Sequence, residues 1–273
     1  MQKSQDRTEL LRSAPVKGAL LKLGTPTLIG MSVSALYNVV DAFFVGQLGG
    51  SQMAAVSLFA PIATAMLGLA LLFGGGAASF ISRLLGAGKR GEANECASTS
   101  LATSMAVAIL LLVGFVVFAE PFLRALGATD TMMPYAAAYA VPFFTAMTFY
   151  AFNGTINNLI VSEGATTVSM VAMLLGGISN IVLDPIMIFA LGWGVAGAAV
   201  VTLAGTLLTT CVYLSYFLRG KSSLALSPRN LKPTAEMYAR VLKIGVPNLT
   251  YQLLVSVALW LTNVFAAAYG DAA

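Results

Sequence analysis

Residues 21–48, LKLGTPTLIGMSVSALYNVVDAFFVGQL, run for 28 positions with a single charge beyond Lys22, the carboxylate of Asp41. As a helix this stretch rises roughly 42 Å, enough to cross a hydrocarbon core of about 30 Å. An acid inside such a span costs about 2.5–3.5 kcal/mol on insertion scales, so Asp41 is a functional-site candidate by default. The plainer alternative is a carboxylate hydrogen-bonded to a neighbouring helix as structural glue.

Six further apolar runs follow at 53–85, 93–119, 131–161, 165–191, 195–218 and 241–269. Only 10% of residues are charged, against about 25% in soluble domains, so the fold class is an all-α polytopic membrane protein. The chain has no histidine. That removes the commonest metal ligand and acid–base group, and with it any Ser-His-Asp or Cys-His nucleophile. Cys96 and Cys211 lie far apart and read as buried apolar residues. The expectation is a membrane-embedded chain without enzyme activity or organic cofactor, whose surroundings are the lipid bilayer.

Lysine and arginine test the number of crossings. Lys3, Arg7, Arg12, Lys17 and Lys22 precede or begin the first span, Arg83, Lys89 and Arg90 flank the second connection, and Arg219, Lys221, Arg229, Lys232, Arg240 and Lys243 flank the sixth. Six crossings before residue 220 put fourteen of the fifteen on one side, with Arg124 alone opposite. The positive-inside rule then places the N-terminus and the even-numbered connections in the cytoplasm, and the expected location is the cell's inner (plasma) membrane. The net charge of +4 is therefore a topology signal and no argument for nucleic acid. Residues 1–18 read as a basic arm suited to an interfacial amphipathic helix, followed by an uncleaved signal anchor.

The start of the first span returns 221 residues later: LKIGVPNL at 242–249 matches LKLGTPTL at 21–28, and Phe265 and Gly270 align with Phe44 and Gly49. An even number of crossings between the copies makes them parallel repeats, a recognised transporter plan. The domain reading is a cytoplasmic arm (1–18), a six-helix lobe (19–218), a cytoplasmic linker (219–240) and the first helix of an incomplete second lobe (241–273).

Nine of the eleven acids sit in connections or at span ends; Asp41 and Asp184 do not. Each lies seven residues from the outer end of its span, roughly 10 Å deep. Tyr139 and Thr202 reach the same level on the fourth and sixth spans. Asn180 is one turn from Asp184, and Ala198 one turn from Thr202. Two carboxylates with amide, hydroxyl and carbonyl oxygens, and no soft ligand, suit a hard cation such as Na⁺ or a proton. Pro185 removes a backbone donor beside Asn180 and Asp184 and frees the Ile181 carbonyl. Deeper lie Tyr37, Asn153 and Asn157, which with Met31, Met66 and Met173 form a candidate cavity for bulky amphiphiles, although methionine at helical spacing is also ordinary core. Pro26, Pro142, Pro185 and Gly74-Gly75-Gly76 mark places where helices can bend.

The motifs LYNVVD (36–41), SRLLGAGK (82–89), NIVLDP (180–185) and GVAGAA (194–199) resemble the multidrug and toxic compound extrusion family, in its prokaryotic branch related to the DNA-damage-inducible F proteins. The resemblance extends over essentially all 273 residues. It implies a two-lobed, twelve-helix antiporter that expels organic cations and other amphiphilic drugs in exchange for Na⁺ or a proton. By that similarity Asp41, Asn180, Ala198 (through its carbonyl) and Thr202 bind the coupling ion, with Asp184 and Tyr139 completing the network. Tyr37, Asn153 and Asn157 face the drug. The chain departs from the family by ending after the seventh span, so its second lobe is absent and no vectorial transport is expected of these residues alone. Thr262, the repeat-equivalent of Asp41, is not acidic.

A lipid-linked sugar flippase of the same plan needs a basic cavity, and every lysine and arginine lies in a connection or at a span's end. An intramembrane aspartyl protease needs Tyr-Asp and Gly-x-Gly-Asp, whereas Asp41 follows Val40 and Asp184 follows Leu183. A non-transporting truncated scaffold is the third alternative.

Overall fold

The computed structural model describes residues 16–267, whose regular structure is entirely helical. In chain order these are α1 (Val16–Gly46), α2 (Gly50–Ser57), α3 (Ala60–Ala70), α4 (Gly76–Gly86), α5 (Arg90–Val117), α6 (Ala119–Ala125), α7 (Met133–Ser162), α8 (Thr166–Pro185), α9 (Gly194–Leu218) and α10 (Ala235–Ala267). A π-helical turn, Leu71–Gly75, joins α3 to α4, so that α2 to α4 form one rod from Gly50 to Gly86. The greater part of the basic arm, residues 1–15, lies outside the described residues, as do Gly270 and the end of the last predicted run.

Six helical stretches among the described residues are long and apolar enough to cross a membrane: Leu21–Gly46, Gly50–Gly86, Arg90–Val117, Thr166–Ala190, Gly194–Leu218 and Ala235–Ala266. The remaining long helix, α7, has 30 residues but spends many of them on asparagine, threonine and tyrosine. It can do so because it is the interior helix. Phe143, Phe144, Met147, Ala151, Ile156, Leu159 and Ile160 are buried along it, and it packs against the Gly50–Gly86 rod, α5 and α9. Polar groups on α7 therefore meet other helices in place of lipid, where interhelical hydrogen bonds satisfy them.

Side-chain pairings give the helix directions. Asn153 and Asn157 on α7 reach Thr210 and Tyr213 on α9, so those two helices run parallel. Gly30 on α1 sits against Met173 on α8, and Gly177 against Val33 and Tyr37, so those two also run parallel. Thr209 on α9 donates to Ala172 on α8, while Asn180 lies against Gly205, an antiparallel pair. Odd spans thus point one way and even spans the other. Basic residues at 83–90 and 219–243 share one end of the bundle. Arg124, at the opposite end, is paired with Glu120 and Asp130.

Two expectations change. α10 begins at Ala235, six positions before the apolar run, so the connection is 219–234. Thr234 Oγ1 accepts from Met237 N at 3.3 Å and caps the helix, as a hydroxyl at this position does. An exposed Glu236–Arg240 pair, 2.6 Å, occupies the first turns. These turns are polar, so hydropathy cannot see them. Cys211, expected to be buried like Cys96, is exposed.

Candidate functional site

The upper site is assembled by α1, α7, α8 and α9. α8 approaches α9 closely because both carry glycine at the crossing: a methyl on Gly205 would overlap the Asn180 amide and stand 3.2 Å from the Gly176 carbonyl. Small residues of this kind let two backbones meet in a membrane. Asn180 is thereby buried and donates Nδ2 to the Gly176 carbonyl at 2.8 Å, which turns its Oδ1 away from its own helix turn. Thr202 donates to the Ala198 carbonyl at 3.1 Å. Tyr139 is held by ring contacts to Phe59 (4.9 Å) and Phe143 (5.2 Å).

Asp41 and Asp184 lie within electrostatic reach of one another, and Tyr139 within reach of both. Asp184 is 0% exposed. Among the described residues neither of its carboxyl oxygens has a hydrogen-bond partner, and Asp41 Oδ1 is buried in the same condition. A buried polar atom without a partner costs about 1–3 kcal/mol, more if charged, so three together are an unmet polar demand concentrated on two residues. Two acids and neutral oxygens form a hard-donor set that fits Na⁺ or a proton. Among the described residues no group of three or more acid, histidine or cysteine side chains offers a multi-acid metal centre. Directly beyond Asp184 and Pro185 the helix widens into a second π turn, Ile186–Ala190, with Leu191 N donating to the Ile186 carbonyl at 2.9 Å. Such turns are enriched at functional sites.

Below this site is a cavity of 370 Å³, at the small end of the range for drug-sized ligands, about 300–1,000 Å³. Met31, Tyr37, Asn153, Asn157 and Met173 line it, together with Asn180 and Thr202, so the cavity opens onto the upper site. Met66 does not line it. It is 4% exposed and belongs to the hydrophobic core; the neighbouring Leu67 faces the cavity, because one residue along a helix turns the side chain by about 100°. Among the described residues no charged side chain lines the cavity. Its polar groups are largely committed: Asn153 donates to the Thr206 carbonyl (2.8 Å) and accepts from Thr210 (2.9 Å), and Asn157 Oδ1 accepts from Tyr213 (3.0 Å) and from Ser169.

Sequence reasoning missed Asn38, Tyr150, Asn158, Thr206, Thr209 and Tyr213 on the wall. On α9 a signal was present: 202, 205, 206, 209 and 213 recur at helical spacing and carry Thr, Gly, Thr, Thr and Tyr, a continuous stripe of small and hydroxylated residues.

This arrangement of helices and site has counterparts among known proteins. A family model described as MatE matches residues 26–186, well over half of the chain. The chain belongs to the MatE family. The multidrug export protein MepA of Staphylococcus saprophyticus is 30% identical over 261 residues, covering 95% of this chain and 58% of that protein. A crystal structure of MATE in complex with MaD3S superposes with a TM-score of 0.87 at 33% identity, covering 97% of this chain and 60% of that one. The outward-facing conformation of a multidrug resistance MATE family transporter of the MOP superfamily superposes at 0.86, also 33% identical, over 97% of this chain and 59% of the other. The chain thus spans less than two thirds of these relatives' length. Coverage of 97% takes in α10, so the seat of α10 on the six-helix bundle is part of the shared MATE fold.

Proposed function

We propose that this chain supplies the ion-coupling lobe, and the first helix of a second lobe, of a cation-coupled exporter of organic cations and amphiphilic drugs. It sits in the plasma membrane with its basic end in the cytoplasm. The observation that carries the reading is the set of three partnerless carboxylate oxygens on Asp41 and Asp184, at the head of a cavity without charge. Na⁺ or a proton entering from outside neutralises the two acids, with Asn180, the Ala198 carbonyl, Thr202 and Tyr139 as the remaining donors. The cavity below takes the substrate against Tyr37 and Tyr150, aromatic side chains of the kind that attract an organic cation. Met31 and Met173 adapt to its shape.

α1 is the element that couples the two, since it carries Asp41, Tyr37 and Met31. It is soft near Pro26: Thr25 and Thr27 each turn their hydroxyls back to the carbonyl four residues earlier, at 2.8 and 3.1 Å, and such back-bonding bends helices. Solved MATE structures of this fold include one in a straight and one in a bent conformation. The absence of basic residues from the cavity wall weighs against a carrier of lipid-linked anionic sugars.

The test is dye efflux by the full-length transporter in inverted vesicles, with Na⁺ and pH varied independently. Efflux should follow one ion and be lost in Asp41→Asn. Undiminished transport by that variant under every ion condition would overturn the coupling role.

A further inference from the structure

α8 carries two successive glycines, and each admits a different neighbour. A Cβ on Gly177 would stand 3.1 Å from Val33 and 3.3 Å from the Tyr37 ring, both on α1. A Cβ on Gly176 would overlap the Thr209 hydroxyl of α9. That hydroxyl donates to the Gly205 carbonyl of its own helix at 2.9 Å and reaches the Ala172 carbonyl of α8 at 3.3 Å. α8 is thereby pressed between α1 and α9 at one level, a turn below Asn180.

The reciprocal position on α9 is Gly205. A Cβ there would overlap Asn180 Nδ2 and come within 3.3 Å of Asn180 Cγ and 3.2 Å of the Gly176 carbonyl oxygen. Asn180 is buried, and its amide fills the space that any larger residue at 205 would need. Its Nδ2 donates to the Gly176 carbonyl at 2.8 Å. That bond dictates which way the amide is turned. A carbonyl oxygen only accepts, so the amide oxygen in the same place would face a second acceptor. Nδ2 points into the crossing and Oδ1 away from it. The terminal torsion of an asparagine is otherwise broad and roughly two-fold. Here the choice is removed, because the amide is enclosed between the Gly176 turn and the Gly205 backbone. Asn180, Gly205 and Thr202 also line the head of the cavity, one turn from Asp184.

We propose that Gly205 is a positioning residue for ion coupling. By leaving room for the Asn180 amide but none for its rotation, it fixes Oδ1 as a hard oxygen that coordinates Na⁺ or accepts from a protonated carboxyl. Gly205 thus sets ion affinity without touching the ion. The inference rests on the coupling reading above, and the measurements below separate the two. Plain packing makes a different forecast: Gly205→Ala would then lower stability alone, whatever residue stands at 180.

The experiment is a double-mutant cycle on Gly205→Ala and Asn180→Ala in the full-length transporter. Two quantities are read for each variant. One is the half-saturating concentration of the ion, Na⁺ or proton, that drives wild-type dye efflux. The other is the unfolding temperature in detergent, with and without that ion. Gly205→Ala should raise the half-saturating concentration by at least about tenfold, with maximal efflux within about threefold of wild type. It should also lower the ion-free unfolding temperature and weaken the ion-induced rise. On the Asn180→Ala background the same substitution should change ion affinity by less than about twofold and recover the unfolding temperature. Wild-type ion affinity in Gly205→Ala, or an equal loss on both backgrounds, overturns the inference. If Gly205→Ala alone does not fold, Asn180→Gln decides. It keeps the amide but carries it out of the notch, and should weaken ion affinity as much as Asn180→Ala does; full affinity there overturns the positioning role. A wild type that responds to neither ion, in efflux or in unfolding temperature, counts against coupling itself and removes the role with it.

Discussion

α1 and α10 carry the same Lys-x-Gly-x-Pro core and put it to opposite uses. Around Pro26 two threonines bond back to their own helix, and among the described residues nothing lies within 4 Å of a methyl built on Gly24. Around Pro247 the flanking residues are Val246 and Asn248, of which only Asn248 bonds back, at 3.2 Å. A methyl on Gly245 would overlap the Leu72 carbonyl, at the π turn of the Gly50–Gly86 rod. One copy is free to bend and carries Asp41; the other is clamped and carries Thr262 in its place. A shared local motif sets where a helix can kink, and the neighbours decide whether it does.

The comparison breaks most readily at the acid. Asp41→Asn should lower dye efflux by at least about tenfold, while Thr262→Val should leave it within about twofold. The Thr262 hydroxyl bonds back to the Ala258 carbonyl of its own helix, at 2.9 Å. Equal losses in the two would mean that both repeats couple.

The prolines come next. Pro26→Ala restores a donor to a helix that bends, and efflux should fall about threefold at unchanged expression. Pro247→Ala stiffens a helix that is already held and should change efflux little; a larger loss there would contradict the clamped state of α10.

The glycines separate the copies by stability. Gly245→Ala forces α10 off the rod and should destabilise the protein by about 1–3 kcal/mol, visible as a lower unfolding temperature in detergent. Gly24→Ala meets no atom and should be neutral or stabilising by up to about 1 kcal/mol through helix propensity.

The smallest effect belongs to the far end of α10, where Asn263 donates to the Ser57 carbonyl at 3.1 Å. Asn263→Leu should cost about 1 kcal/mol, because that carbonyl loses its donor. Adding Pro61→Ala returns an N–H to that carbonyl and should recover part of the loss in a double-mutant cycle. Strict additivity would show that the asparagine acts elsewhere.

Much of this was legible in the residues. Asp41 and Asp184 could be matched in depth because each is counted from the end of its own span, and the polar stripe on α9 was open to the same counting. Met66 could not be assigned, since its face depends on which helix packs beside it. The docking of the 219–234 connection was hidden for a different reason: a Ser/Pro-rich connection reads as a tether until Asn94, Ser98, Thr99 and Glu163 are seen to accept its backbone donors.

The sequence by itself determined where the long spans lie, that their directions alternate and how far each polar group stands from the end of its own span. Backbone groups in lipid must bond within their own helix, span length must match the bilayer, and basic residues collect on one side. Rotation about each helix axis was decided only in the tertiary structure. Lipid and apolar side chains are nearly equivalent neighbours, so the facing sides are selected by close packing at glycines such as Gly205 and Gly245 and by hydrogen bonds between helices. That rotation brings two acids from separate helices together above an uncharged cavity.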